Sequence, residues 1–132
     1  MIISKENAST INTKLVYVHD DTLINLCFAR IERNLILTLE EKVANKYEIR
    51  FKEVLGFEMT ACDFWGKSER VLDFEYIESD SQVLLPRLKR MQCNDSLSQN
   101  ENLYMDYIEV LFTFVSGDQL RIVCSVIEID KQ

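Results

Sequence analysis

Residues 104–130 read YMDYIEVLFTFVSGDQLRIVCSVIEID, and this stretch decides the fold. Ile108, Val110, Phe112 and Phe114 recur at every second position and line one side of an extended run. Side chains of a strand alternate between two faces, so this run has one apolar face to bury. Ser116-Gly117-Asp118 follows, three residues suited to a tight turn. Leu120, Ile122, Cys124 and Val126 then resume the same period. The pair Val126-Ile127 breaks the phase before Ile129, which predicts a bulge or twist at that point. The stretch therefore reads as two antiparallel strands joined by a short turn.

The same period recurs upstream. Tyr47, Ile49 and Phe51 alternate with Glu48, Arg50 and Lys52, a strand with one wet face. Leu35, Leu37 and Leu39 alternate with Ile36, Thr38 and Glu40, and Leu72, Phe74 and Tyr76 alternate with Val71, Asp73 and Glu75. Arg33-Asn34 separates 22–32 from 35–40 as a second hairpin, and Gly66-Lys67-Ser68 marks a turn between 54–65 and 70–78. Residues 79–82 are polar and suit the cap of a short helix, with Pro86 fitted to its first turn. Residues 84–92 also read at period two, so helix and strand both stay open there. The expected fold is mainly β: an antiparallel meander forming a sandwich or half-open barrel, with at most one or two short helices. A length of 132 residues predicts one domain over 1–132, with 1–13 free to move and 93–102 a surface loop.

Charge narrows the choice of partner. Twenty-two acidic against fifteen basic residues give a net charge of −7. Such a chain repels a phosphate backbone, which argues against nucleic acid, and its field steers a cationic protein toward it. No apolar run approaches the ~20 residues of a membrane helix, and the amino-terminal residues form no secretory leader. The expectation is a cytoplasmic protein with reduced thiols. Cys27, Cys62, Cys93 and Cys124 form no close pair of the kind a zinc site uses. Cys27, Cys62 and Cys124 have apolar neighbours and read as small buried hydrophobes.

The search for catalytic chemistry finds no constellation. His19 is the single histidine, and the adjacent carboxylates Asp20 and Asp21 point to opposite faces of an extended chain, so the three do not converge on one metal. Asp20 and Asp21 read as turn residues. Gly66-Lys67-Ser68 imitates the end of a phosphate loop, but Ala61 stands where that loop needs glycine. No cofactor, metal or catalytic residue is expected, and the chain reads as a non-enzyme. Candidate partner-binding residues are Trp65, an aromatic beside a turn, and the acidic, aromatic group Tyr104, Asp106, Tyr107 and Glu109. Arg87, Lys89 and Arg90 form the one basic cluster and read as a salt-bridged surface. The run 104–115 also offers a strand edge through which a homodimer could form.

Three segments carry a family likeness. They are His19-Asp20-Asp21-Thr22-Leu23, the strand from Tyr47 to Val54 followed by Trp65-Gly66-Lys67-Ser68, and Ser116-Gly117-Asp118-Gln119-Leu120-Arg121-Ile122. In that order the chain resembles small bacterial β-rich families, largely uncharacterised, that include predicted immunity proteins of polymorphic toxin systems. The resemblance implies binding rather than chemistry: a domain that neutralises a toxin by occlusion. Alternatives are a structural or regulatory interaction module, or a small-ligand binder with its pocket in a β-barrel.

Overall fold

The alternating runs do form strands, and their apolar faces meet. In a computed structural model, residues 1–14, 17–42, 45–60, 69–92 and 104–131 are described. The strands are β1 (Ile2–Ile3), β2 (Thr22–Ala29), β3 (Asn34–Glu40), β4 (Lys46–Lys52), β5 (Gly56–Met59), β6 (Val71–Tyr76), β7 (Ile108–Phe114), β8 (Gln119–Cys124) and β9 (Val126–Ile129). They build two antiparallel sheets, in the orders β1-β9-β4-β3-β2 and β5-β8-β7-β6. The sheets are not closed into a barrel, so of the two expected architectures the sandwich holds.

Leu35, Leu37, Leu39, Ile49 and Phe51 of the first sheet face Val110, Phe112, Phe114, Leu120 and Ile122 of the second, all fully buried. Phe112 is the hub. Its ring stacks on Phe74 at 4.2 Å and 7° and meets the edge of Phe51 at 6.0 Å. Rings of this kind bury 150–250 Å² each, roughly, and dominate a core of this size.

The phase break at Val126-Ile127 has a specific cause. Leu120, Ile122 and Cys124 point inward from the second sheet, whereas Ile127 and Ile129 point inward from the first. Ser125 is the residue at which the chain crosses between sheets. Its neighbour crosses beside it: β4 ends at Lys52 in one sheet and β5 begins at Gly56 in the other. Glu53 turns this corner with φ +52°, and its carboxylate accepts the Ser125 hydroxyl at 2.6 Å. The two ribbons thus fold over together.

The amino-terminal residues, expected to move freely, are instead tied down. Ile2 and Ile3 pair with β9, Ile3 is fully buried, and a 3₁₀ segment at Ala8–Thr13 buries Ala8 and Ile11. Cys124 is buried as expected, and burial pushes its thiol well above the usual range. Cys27 departs from the reading: it is exposed on the outer face of β2. Cys62 and Cys93, the Gly66 turn and the 93–102 loop lie outside the described residues. In β6 a bulge between Val71 and Asp73 buries Val71 and turns Leu72 outward, so strict alternation fails there.

The choice at 84–92 resolves as α1 (Leu84–Gln92). Pro86 occupies its first turn, where the missing N–H has no intrahelical partner to lose. The helix lies on the outer face of the second sheet, where Leu84 and Leu85 pack with Val123 and Tyr104. Gly56 makes room for it, since a Cβ there would stand 2.7 Å from Leu88 Cδ1. No helix among the described residues is long and apolar enough to cross a membrane.

Candidate interaction surface

The sequence candidates fall in different places. Trp65 lies outside the described residues. Glu109 is fully buried beneath α1, not on the surface. Its two carboxylate oxygens accept the backbone N–H of Val83 at 3.0 Å and of Leu85 at 2.7 Å, and Arg121 donates to it at 2.8 Å. A carboxylate at the positive end of a helix satisfies donors that have no intrahelical acceptor. Tyr104 is also buried, with its hydroxyl donating to Gln92 Oε1 at 2.7 Å and Lys89 above its ring at 5.4 Å. Tyr107 is half-buried against the same cluster. These three residues hold the helix on the sheet. Of the group only Asp106 is freely exposed. Of the basic cluster, Arg87 forms the salt bridge expected of it, to Glu58, and Lys89 lies over the Tyr104 ring.

A different region presents exposed apolar side chains around an open cleft. Tyr17, Val18, His19, Leu72 and Phe74 line an open cleft of about 270 Å³ on β6, with Lys14 and Asp73 at its polar side. Tyr17 is 60% exposed and Leu72 48%. Lys14, at φ +61°, ends the 3₁₀ segment and bonds Asp73 at 2.6 Å. His19 Nδ1 donates to Leu72 O at 2.8 Å, which fixes the ring beside the cleft. Asp20 adopts φ +69°, the turn conformation expected of it, and its bond to Lys42 holds its carboxyl below the usual range.

Acidic residues follow the cleft along the chain. Asp73 and Glu75 stand on β6, and Glu78 and Asp80 follow at the short 3₁₀ turn Ser79–Ser81. Glu75, Glu78 and Asp80 make no ion pair among the described residues. The cleft presents exposed apolar side chains, and the carboxylates without ion pairs follow it in sequence. Sequence reasoning missed it because Tyr17 and Leu72 look like ordinary strand residues. Only the bulge in β6 and the 3₁₀ segment bring them to one cleft.

Asp21 has a second role besides the turn. It is 5% exposed and accepts the Tyr47 hydroxyl at 2.5 Å and Lys131 Nζ at 3.0 Å. Lys131 also pairs with Glu41 at 3.3 Å and lies over the Tyr47 ring at 5.0 Å. A glycosidase pair faces an open gap that admits a sugar. Here the ammonium group fills the gap between Asp21 and Glu41, so the cluster reads as a tie between the carboxy-terminal strand and the body. Among the described residues no group of three His, Cys, Asp or Glu side chains is placed to hold a metal.

Burial, then the Asp21 hydrogen bond, push the Tyr47 hydroxyl far above its ordinary range. The folded protein therefore keeps this proton where the unfolded chain, with tyrosine near 10, releases it. Stability contributed by Tyr47 is complete below about pH 10 and is lost as pH rises beyond it. Tyr47→Phe should lower the urea midpoint at pH 7, and the gap from wild type should narrow between about pH 10 and 11. A gap that stays constant over that window would refute the assignment.

No protein-family model matches the chain, and no curated protein does either. Among solved structures, the crystal structure of an uncharacterized protein from Neisseria gonorrhoeae is similar in fold. It matches with a TM-score of 0.54 at 14% identity, over 86% of this chain and 93% of that one. At that identity the likeness concerns the fold alone.

Proposed function

We propose that this chain is a non-catalytic, cytoplasmic protein-binding domain of the immunity type, which occludes a basic partner such as a bacterial toxin domain. The observation that supports this reading most is the exposed pair Tyr17 and Leu72 at an open cleft, followed along the chain by Glu75, Glu78 and Asp80, which make no ion pair among the described residues. Unpaired carboxylates on a chain of net charge −7 steer a cationic surface into contact. The exposed Tyr17 and Leu72 then pack against the partner and set how slowly it leaves. No bond is made or broken, and the partner's own site is covered.

The test is capture with the tagged chain at low and high salt, identified by mass spectrometry. A basic protein, held at low salt and weakened at high salt, is the expected result. If that protein is a toxin, expressing it alone arrests growth and co-expression restores it. The triple variant Glu75→Lys, Glu78→Lys, Asp80→Lys should then slow association about tenfold or more, while Tyr17→Ala should mainly speed dissociation. Association rates unchanged by the charge reversal would sink the proposal.

A further inference from the structure

We propose that the chain forms a two-fold dimer by antiparallel pairing of β2 with β2 of a second copy. The argument rests on how the four sheet edges differ. A free edge presents N–H and C=O groups to any passing strand, and proteins block edges that should stay single. The β6 edge is blocked. The Asn12 side-chain amide donates to Tyr76 O at 3.0 Å and accepts from Tyr76 N at 2.8 Å, standing in for a neighbouring strand. His19 covers Leu72 O, and the Asp73 carboxylate accepts Phe74 N at 3.0 Å. The β1 edge is two residues long and the β5 edge four. The expected edge at 104–115 is no edge at all, because β7 lies between β6 and β8.

The eight residues of β2 form the long edge left over. Its start is occupied: Leu23 N donates to Glu69 O at 2.9 Å, and Thr22 bridges Arg70. Beyond the bulge between Leu23 and Asn25, no outward hydrogen bond is made from 25–29 among the described residues. Leu26 and Phe28 share the inward side-chain phase of Leu23, opposite Leu37 and Leu35. In a regular strand, residues of one phase also share one hydrogen-bonding side, so the N–H and C=O of Leu26 and Phe28 point outward as those of Leu23 do.

This edge fits itself. Antiparallel pairing about an axis at Cys27 sets Leu26 opposite Phe28 of the second copy, and Phe28 opposite its Leu26. All of these outward groups are then satisfied. The strand 22–29 carries no charge, so two chains of −7 can approach along it. On the outer face Asn25, Cys27 and Ala29 neighbour Asn34, Ile36 and Thr38 of β3, also uncharged. The result is one continuous ten-stranded sheet, twice the five strands of each copy.

Sedimentation equilibrium on the full chain under reducing conditions should show a dimer. Cys27→Lys changes an exposed side chain and sets two ammonium groups across the axis, so it should raise the dimer dissociation constant about tenfold or more. Its melting curve at low concentration checks that the fold is intact. A second measurement uses the Cys62→Ser, Cys93→Ser background with copper–phenanthroline as oxidant. Two Cys27 thiols at a non-hydrogen-bonded pair stand close enough to form one disulfide, losing two protons and passing two electrons to the oxidant. A covalent dimer that vanishes with Cys27→Ser is expected. A monomer at every concentration overturns the proposal. So does a dimer that neither cross-links nor responds to Cys27→Lys, since it would use another surface.

Discussion

Glu109→Ala should cost about 3 kcal/mol or more, because it leaves a buried helix end and a guanidinium without their acceptor. In the native protein the carboxylate is fully buried and bonded to Val83 N, Leu85 N and Arg121 Nη1. Breaking a buried pair by removing one partner strands the other in low dielectric, whereas replacing both is cheaper. Arg121 keeps 19% of its side chain exposed and can turn to water, which places the cost at the lower end. At this chain length the loss corresponds to a melting temperature lower by roughly 10 °C. Glu109→Gln should fall between, since its amide oxygen serves one donor while its NH₂ group faces others. Hydrogen exchange should speed up first at Leu84–Gln92, ahead of the two sheets. A Glu109→Ala melting temperature within about 2 °C of wild type would mean that this carboxylate does not hold the helix.

Phe112→Ala should be more damaging still, about 3–5 kcal/mol. Phe112 touches both layers: it stacks on Phe74 and Phe114 within its own sheet and meets Phe51 from the other. Truncation removes apolar burial and leaves a void between sheets joined at a corner, which limits their collapse. A domain of this size has about 5–15 kcal/mol in all, so the variant should be partly unfolded at physiological temperature. Phe112→Leu refills much of the space and should lose less. Urea titration of both variants checks the order, and a Phe112→Ala loss below about 1 kcal/mol would contradict the placement of this ring.

The strands were legible because their period is set by the backbone and needs no knowledge of neighbours. Ser116-Gly117-Asp118 was legible for a similar reason: Gly117 sits at φ +94°, which its residue type permits at no cost. What alternation cannot reveal is the sheet to which a strand belongs. The break at Ser125 was visible as a lost phase, but the change of sheet behind it depends on Glu53, a residue distant in sequence. Glu109 shows the second limit. Its place on the wet phase of β7 suggested a surface acid, yet α1 covers that phase, and nothing within 108–114 announces the cover. The cleft was the least legible, because a bulge and a 3₁₀ segment assemble it from unrelated stretches. Of the candidate partner-binding residues that lie among the described residues, only Asp106 keeps the exposure expected of it.

The shared corner bears on how the chain reaches this state. Glu53 and Ser125 are separated by 72 residues, and the ribbons on either side of them pair only after that loop has closed. Closing a loop of this length costs entropy before any contact across it is made. Local hairpins such as β2–β3 and β7–β8 can form first, within microseconds, but the corner that joins the two layers must wait. Folding should therefore run on the millisecond-to-second scale of other non-local β proteins, with a rate-limiting event in which β4–β5 finds β8–β9. During that wait the β2 hairpin is already present with its edge open, so self-pairing at β2 and completion of the sandwich compete in time.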